Sequence, residues 1–266
     1  VAEGYETEYM HLFTADGFTG TLKDCNEGTL EWVQKDELTK LNLWEGDLIF
    51  FQLLKENAPF FSLKLCYRNN VLTQAALNGR QLELFDIIDE TGRPTGQVRE
   101  RPLVHLYGDR HRTSHIWIVR PSKTKKEGFD VLLQKRANGK ESFPGCYDIS
   151  SAGHVPAGCG FLSSALRELE EELGITVTED KLQFIDFHDA TIQTHFYGKP
   201  FHNHEYSAIY LLNQDIPISS MTLQEEEIES VLWMDYEDCL EAIKENRIEH
   251  CIFLEEFEML KGAYER

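Results

Sequence analysis

The sharpest hydrophobic pattern in the chain lies between residues 161 and 173. Apolar side chains repeat there every three or four residues, as they do when one face of a helix packs against a core. These positions are Leu162, Ala165, Leu166, Leu169 and Leu173. Gly174 follows as a C-terminal stop, so the pattern predicts a helix over 161–173, preceded by a loop over 153–160.

A second face of this predicted helix is acidic. Glu168, Glu171 and Glu172 stand at positions i, i+3 and i+4, so they crowd together on the helix surface. A solvated acidic face is one interpretation of such a run. The alternative is that a hard divalent cation, which binds several oxygen ligands, lies among the three carboxylates.

Hydrophobic runs elsewhere in residues 81–266 predict a mixture of strands and helices. Strands are predicted at 82–89, 115–119, 129–136, 182–188, 192–197, 206–212 and 231–234, and helices at 99–109, 236–245 and 251–264. Mixed strands with flanking helices are typical of an α/β sandwich. This part of the chain is therefore predicted to be one α/β domain.

The first part of the chain predicts a smaller unit of its own. Strands are predicted at 7–15 and 28–33, helices at 35–41 and 47–54, and a terminal hairpin at 60–67 and 70–72. Residues 73–80 carry no strong pattern and are predicted to be a linker. The chain is thus divided into a partial α+β segment at 1–72, the linker at 73–80 and the α/β domain at 81–266.

Composition restricts the partners that this protein can have. The formal net charge of −20 argues against a nucleic-acid polymer, because phosphate backbones are bound by Lys and Arg. It still allows one small anionic substrate whose charge a metal neutralises locally. No apolar run approaches the roughly 20 residues that span a bilayer, so no membrane partner is expected. The six cysteines show no CxxC pair, which favours reduced thiols in the cytoplasm.

The stretch around the acidic helix resembles the signature of the Nudix hydrolase family. That signature is a Gly, five residues, a Glu, seven residues, and then Arg-Glu-apolar-x-Glu-Glu-x-Gly-apolar. The matching positions are Gly153, Arg167, Glu168, Leu169, Glu171, Glu172, Gly174 and Ile175. Cys159 stands where the family has its first Glu, which puts the catalytic rate in doubt more than metal binding.

The resemblance implies a mixed sheet between helices and a Mg2+-dependent (or Mn2+-dependent) hydrolysis of a diphosphate linkage in a nucleoside diphosphate-X type of metabolite. The implied metal ligands are Gly153, Glu168, Glu171 and Glu172, and the catalytic candidates are Glu168, Glu171, Arg167 and Glu205. Arg167 is expected to hold the glutamates in place through ion pairs. Glu205, on a later strand, is the candidate for the base or for an additional ligand.

Residues 82–266 are most similar to one branch of this family, the isopentenyl-diphosphate-isomerase-like proteins, through LFDIIDETGRPTG, LLQKR and FPGCYDISSAGHV. True isomerases carry a Cys directly before the Gly-His pair, where this chain has Ala152. They also use a second ligand cluster, which His105, His115, His154 and Glu205 imitate in part. We therefore rank an isomerase below a hydrolase. A non-catalytic nucleotide-binding module, which Cys159 permits, is a third hypothesis.

Residues 1–72 are similar to the C-terminal half of MutT-like 8-oxo-dGTP diphosphatases. An internal repeat supports this interpretation, because Glu8-Tyr9 and residues 30–33 recur as Glu205-Tyr206 and residues 232–234. The segment lacks an acidic signature helix, so it is not expected to bind a metal alone. It is expected to dock on the second domain or to pair with another copy as a homodimer, and a protein beginning near Arg80 is expected to remain active.

Overall fold

The structure is a computed structural model that describes residues 7–266 apart from residues 22 and 24. Residues 1–6 of the predicted N-terminal segment lie outside the described residues. The helices in the described part are α1 (Glu45–Lys55), α2 (Arg101–Tyr107), α3 (Phe161–Leu173), α4 (Tyr236–Lys244) and α5 (Leu254–Tyr264). The strands are β1 (Leu63–Arg68), β2 (Val71–Leu77), β3 (Arg80–Gln81), β4 (Leu84–Ile88), β5 (Pro94–Glu100), β6 (Arg110–Pro121), β7 (Phe129–Arg136), β8 (Tyr147–Asp148), β9 (Ser151–His154), β10 (Gln183–Phe196), β11 (Lys199–Asn213) and β12 (Ile228–Asp235).

A seven-stranded mixed sheet forms the centre of the protein. Its order is β10-β11-β6-β7-β12, with β9 beside β6 and β8 beside β7. Strands β11 and β6 run parallel, whereas the other neighbouring pairs are antiparallel. Helix α3 packs on one face, and α4 and α5 pack on the other. The predicted α/β sandwich with a mixed sheet is therefore confirmed.

Strand β6 changes its partner part-way along its length. Residues 113–116 pair with β9, and residues 119–121 pair with β7, so β9 and β7 diverge from a common strand. Because side chains alternate along a strand, Ile116 and Ile118 face α3, whereas Trp117 faces α5. The divergence leaves an opening beside β9.

Helix α3 covers the predicted residues Phe161–Leu173. Its buried Leu169 and Leu173 pack against the sheet, as the apolar spacing predicts. Gly174 ends the helix in the left-handed conformation, with φ +67°, and its N–H bonds to the carbonyl of Glu170. A residue with a Cβ adopts this conformation at a cost, so the glycine stops the helix at this point.

Strands β1 and β2 form the predicted terminal hairpin. Its two-residue turn is Asn69-Asn70, and both residues have positive φ, a conformation that asparagine tolerates in tight hairpin turns. Helix α1 lies close to its predicted position. Ile49 of α1 and Leu72 of β2 are buried in one apolar cluster with Leu84 of β4. The segment from α1 onward is therefore packed on the domain that follows it.

Residues 7–43 do not form the predicted strands, so that prediction was wrong. The stretches 7–15 and 28–33 are irregular, and only a 3-10 turn at Leu38–Lys40 replaces the predicted helix. Tyr9 and Trp32 are 88% and 74% exposed. An alternating pattern forms a strand only beside a partner strand, and the described residues bring none to this stretch. The internal repeat therefore has no structural counterpart here.

The prediction of a linker at 73–80 was also wrong. These residues lie in β2, in the turn after it and at the start of β3, and Ala75 is buried in the same apolar cluster as Leu72. A protein beginning near Arg80 would lose both residues from that cluster and is no longer expected to fold as before. The boundary between a partial N-terminal segment and the α/β domain remains a prediction.

The strands predicted at 182–188 and 192–197 are one long strand, β10, which pairs along its whole length with β11. Strand β7 covers the predicted residues 129–136. Among the residues that the structure describes, no helix has the length and apolar character needed to cross a membrane.

We expect Leu72→Ala to lower the free energy of unfolding by about 2–5 kcal/mol, because it leaves a cavity in the shared apolar cluster. The exposed Leu30 is the matched control, and Leu30→Ala should change stability by less than about 0.5 kcal/mol. Urea denaturation measures both. Equal effects in the two variants would mean that β2 does not belong to the folded core.

Candidate active site

Helix α3 lies against the sheet at Gly153. This residue lies in β9 opposite Ser114 of β6, and a Cβ atom built on it would overlap the carboxyl carbon of Glu168. Any side chain at position 153 would therefore displace Glu168. The glycine allows the Glu168 carboxyl group to lie directly against the backbone of β9.

Glu172 is the most deeply buried carboxylate of α3. Its Oε2 accepts hydrogen bonds from the Ser151 hydroxyl at 2.7 Å and from the Ala152 N–H at 3.2 Å. Burial raises the pKa of Glu172 to about 7, although these hydrogen bonds act in the opposite direction. A cation beside this carboxylate would favour its ionised form.

Arg167 connects the remaining carboxylates of the helix. Its guanidinium donates to Glu171 at 2.7 Å, to Glu168 at 2.5 Å and to the His154 carbonyl at 3.4 Å. Burial raises the pKa of Glu168, and the charge of Arg167 opposes that shift. Arg167 is thus more than a surface partner of Glu171, and its contacts fit the predicted orienting role.

A cavity of about 480 Å³ opens beside β9. The predicted site residues that line it are Gly153, Arg167, Glu168, Glu171, Glu172 and Glu205. The structure therefore brings every predicted site residue to one cavity. Cys159 is exposed and does not line the cavity, so the departure from the family signature lies away from its wall.

Glu205 reaches the cavity from β11, on the far side of β6 from β9. Its Oε2 lies 3.9 Å from Nε2 of His115. Nδ1 of His115 in turn lies 2.9 Å from Oε2 of Glu256, a fully buried carboxylate of α5. Glu256 is not among the site residues predicted from the sequence, although its position four residues before the buried Leu260 places it on the apolar stripe of the helix.

Three histidines meet on the face of β9 opposite α3. They are His105 of α2, His111 of β6 and His154 of β9, and one ligating atom from each lies within 4.8 Å of the other two. Burial lowers the pKa of His105 to about 3 and also lowers the pKa values of His111 and His154. The three imidazoles are therefore neutral and have lone pairs for a metal.

This cluster differs from the one expected from the isomerase-like branch. The observed cluster contains His111, whereas the expected cluster contained His115. His154 is the last residue of β9 and not part of the predicted loop. The alternation of His111, Thr113 and His115 along a buried strand was the available signal, since it places all three on one face. Helix α2 and its C-terminal Gly108 turn the chain so that His105 meets His111.

A sequence model of the NUDIX domain matches residues 109–256, which is more than half of the chain. The chain belongs to the Nudix hydrolase family. The expectation of a Nudix hydrolase is thereby confirmed, whereas the finer assignment to an isomerase-like branch gains no support from these matches.

Two relatives illustrate how this Nudix hydrolase compares with known members. It is 40% identical to Nudix hydrolase 3 of Arabidopsis thaliana over 160 residues, which are 59% of this chain but only 20% of that protein. It is 33% identical to an uncharacterized Nudix hydrolase of Clostridium acetobutylicum over 177 residues, which are 66% of this chain and 80% of that protein. Among solved structures, a Deinococcus radiodurans protein covers 63% of this chain and 92% of its own, with 19% identity and a TM-score of 0.46.

Nudix hydrolases generally use divalent metal ions, and the donor atoms of this Nudix domain suit two kinds of ion. The carboxylates of α3 and the Gly153 carbonyl are the oxygen donors that Mg2+ prefers. The imidazoles of His105, His111 and His154 are nitrogen donors, which suit transition ions such as Zn2+ or Co2+ better than Mg2+. The two donor sets are on opposite faces of β9.

Glu172→Gln should change how the stability of the metal-free protein depends on pH. Because the pKa of Glu172 is raised from 4.5 to about 7, the folded state holds a proton between these pH values that the unfolded chain has released. Stability therefore falls as the pH rises through this interval. At pH 8 the variant should be more stable than the wild type by on the order of 1–3 kcal/mol, and near pH 4 the two should be equal. Urea denaturation at both pH values measures the difference, and a constant difference would contradict the burial of this charge.

The histidine cluster should bind Co2+ in a form that absorbs visible light. We expect His111→Gln to weaken this binding by more than the roughly 10–100-fold that loss of an outer-shell partner causes. The exposed His195 is the matched control, so His195→Gln should bind Co2+ like the wild type. A spectroscopic titration of each metal-free protein with Co2+ measures the binding. Equal Co2+ spectra for the wild type and both variants would exclude a metal site at the cluster.

Proposed function

We propose that this protein hydrolyses a diphosphate linkage in a small anionic metabolite of the nucleoside diphosphate-X type and requires Mg2+ or Mn2+. The observation that carries the proposal is the convergence of Gly153, Glu168 and Glu172 on one cavity, with Glu171 held beside them by Arg167. These groups offer the hard oxygen ligands that such ions prefer.

Each residue of the site has a distinct part in the proposed reaction. A divalent ion bound by Glu168, Glu171, Glu172 and the Gly153 carbonyl would neutralise charge on the diphosphate and make a water more acidic. Arg167 keeps the carboxylates at fixed positions. Glu205 faces the same cavity from β11 and is the candidate base, with Glu168 and Glu171 as the alternatives.

Basic side chains in the cavity wall support an anionic substrate in spite of the net charge of −20. They are Arg101, Arg136, Lys140 and Arg167. Arg136 is fixed by Asp148 at 2.8 Å, and Lys140 pairs with Glu227. Burial lowers the pKa of Lys140 to about 8. Carboxylates share the same wall, so these basic side chains would bind phosphate oxygens together with the metal ion that offsets the carboxylates.

Aromatic side chains in the same wall support a substrate with a planar or apolar group beyond its phosphates. They are Phe85, Phe143, Phe201 and Phe253. A cavity of about 480 Å³ is within the range of small-molecule sites, which combine apolar walls with a few polar groups. A nucleoside attached to a diphosphate has both parts.

We also infer a reducing, cytoplasmic setting and a homodimer. The described cysteines are unpaired, as is usual for cytoplasmic proteins. Residues 7–43 expose Tyr9, Phe13 and Trp32, and apolar surface of this kind commonly marks a contact with another chain.

The proposal is tested by a screen that uses chromatographic analysis of the products formed from nucleoside diphosphates, dinucleotides, nucleotide sugars and prenyl diphosphates, each with and without Mg2+, because cleaving the linkage to a group X yields two phosphomonoesters and no free phosphate. For the best substrate we expect Glu168→Gln and Glu172→Gln to lower kcat by about 100-fold or more, the scale on which one electrostatic stabiliser acts. The exposed Glu170 of the same helix is the matched control, and Glu170→Gln should retain activity.

Two results would overturn the proposal. One is an absence of metal-dependent hydrolysis throughout the screen, which would favour the non-catalytic module. The other is conversion of isopentenyl diphosphate to dimethylallyl diphosphate, which would favour the isomerase even though Ala152 provides no thiol.

A further inference from the structure

A buried charged pair lies behind the cavity wall, on the side away from α3. Glu256 of α5 is fully buried, and its carboxylate contacts two side chains of β6. Nδ1 of His115 lies 2.9 Å from Oε2, and Nε1 of Trp117 donates to Oε1 at 2.7 Å. Both oxygens of Glu256 are thus engaged by ring nitrogens.

These contacts determine how the His115 ring is oriented. An indole N–H only donates, so Glu256 accepts at Oε1, and as an ionised carboxylate it accepts at Oε2 as well. Nδ1 of His115 is therefore the donor. Nε2 points the other way, toward the cavity that His115 lines. The Glu205 oxygen facing it is 3.9 Å away, beyond hydrogen-bond distance.

Acidic groups face His115 from three elements, namely Glu256 of α5, Glu205 of β11 and Asp148 of β8. His188 of β10 lies beyond Glu256, with its Nδ1 3.6 Å from Oε2. Burial alone would lower the pKa of His115, but the carboxylates, Glu256 above all, raise it to about 9. The carboxylates of Glu256 and Glu205, which face the two ring nitrogens, favour the cationic form of the ring, in which Nε2 also carries a proton.

Stability alone does not account for a carboxylate at position 256. Glu256 lies on the buried face of α5 with Phe257, Leu260 and Ala263. A buried ion pair is often no more stabilising than apolar residues of similar volume in the same place. Perturbed charged groups of this kind are concentrated at functional sites.

We propose that His115 binds the diphosphate of the substrate through its Nε2–H, and that Glu256 is the positioning residue that orients the ring and keeps it charged. The inference rests on the proposed function, because it takes a diphosphate as the ligand. Ala152, the register partner of His115 on β9, also lines the cavity, and its small side chain leaves Nε2 accessible. A cation here also offsets the repulsion between Glu205 and a phosphate oxygen.

Binding of inorganic pyrophosphate, measured by calorimetry at pH 7.5 with Mg2+ present throughout, tests the contact. We expect His115→Gln to raise the Kd about 10- to 100-fold, since it removes one charged hydrogen bond. Glu256→Gln can still accept from Nδ1 but no longer keeps the ring charged, so it should raise the Kd about 10-fold. The exposed Glu255 of the same helix is the matched control, and Glu255→Gln should leave the Kd unchanged.

Nitrogen-15 NMR of the histidine rings supplies a readout that a structural role would not change. Both nitrogens of His115 should be protonated in the wild type at pH 7.5, and only one in Glu256→Gln. A neutral His115 in the wild type, or an unchanged Kd in His115→Gln, would overturn the inference. If Glu256→Gln does not fold, these two measurements still decide. A wild type that hydrolyses no diphosphate would refute the proposed function, while pyrophosphate binding and the charge of His115 would still be measurable.

Discussion

The site depends on the contact between helix α3 and the backbone of β9 at Gly153. Because position 153 has no side chain, the Glu168 carboxyl group lies against the strand, and Glu172, one turn further along, reaches Ser151 and the Ala152 N–H. The buried leucines of the same helix determine how far it sits from the sheet. Packing on one face of α3 thus positions the chemistry on another.

Electrostatics explains how so many acidic groups share one cavity in an acidic protein. Burial raises the pKa values of Glu168 and Glu172, so each carries a proton more readily than an exposed carboxyl group. Glu256 is deeper still but remains ionised, because His115 and Trp117 donate to it. Burial therefore favours the protonated acid in one place and leaves an anion in another, according to the partners within hydrogen-bond distance.

Local signals predicted the parts of this protein that depend on local structure. The helix over 161–173 and its glycine stop follow from spacing alone. The signature around Gly153 predicted that the carboxylates of this helix belong to one site. Long-range contacts could not be predicted in this way. Glu256 and His115 are 141 positions apart in the chain, and the spacing of hydrophobic residues does not predict a contact between them. The strands predicted in residues 7–33 failed for a related reason, since a strand requires a neighbour that sequence alternation cannot supply.

Consecutive residues of strand β9 belong to two different groups of potential metal ligands. Gly153 faces α3, whereas His154 faces the histidine cluster, because neighbouring residues of a strand point to opposite sides. A slip of β9 by one residue against β6 would exchange the two environments and place an imidazole against Glu168. A deletion or insertion in this short strand would therefore disrupt both the carboxylate and the histidine donor sets at once. The exposed loop over 122–128, in contrast, could change its length without altering either donor set.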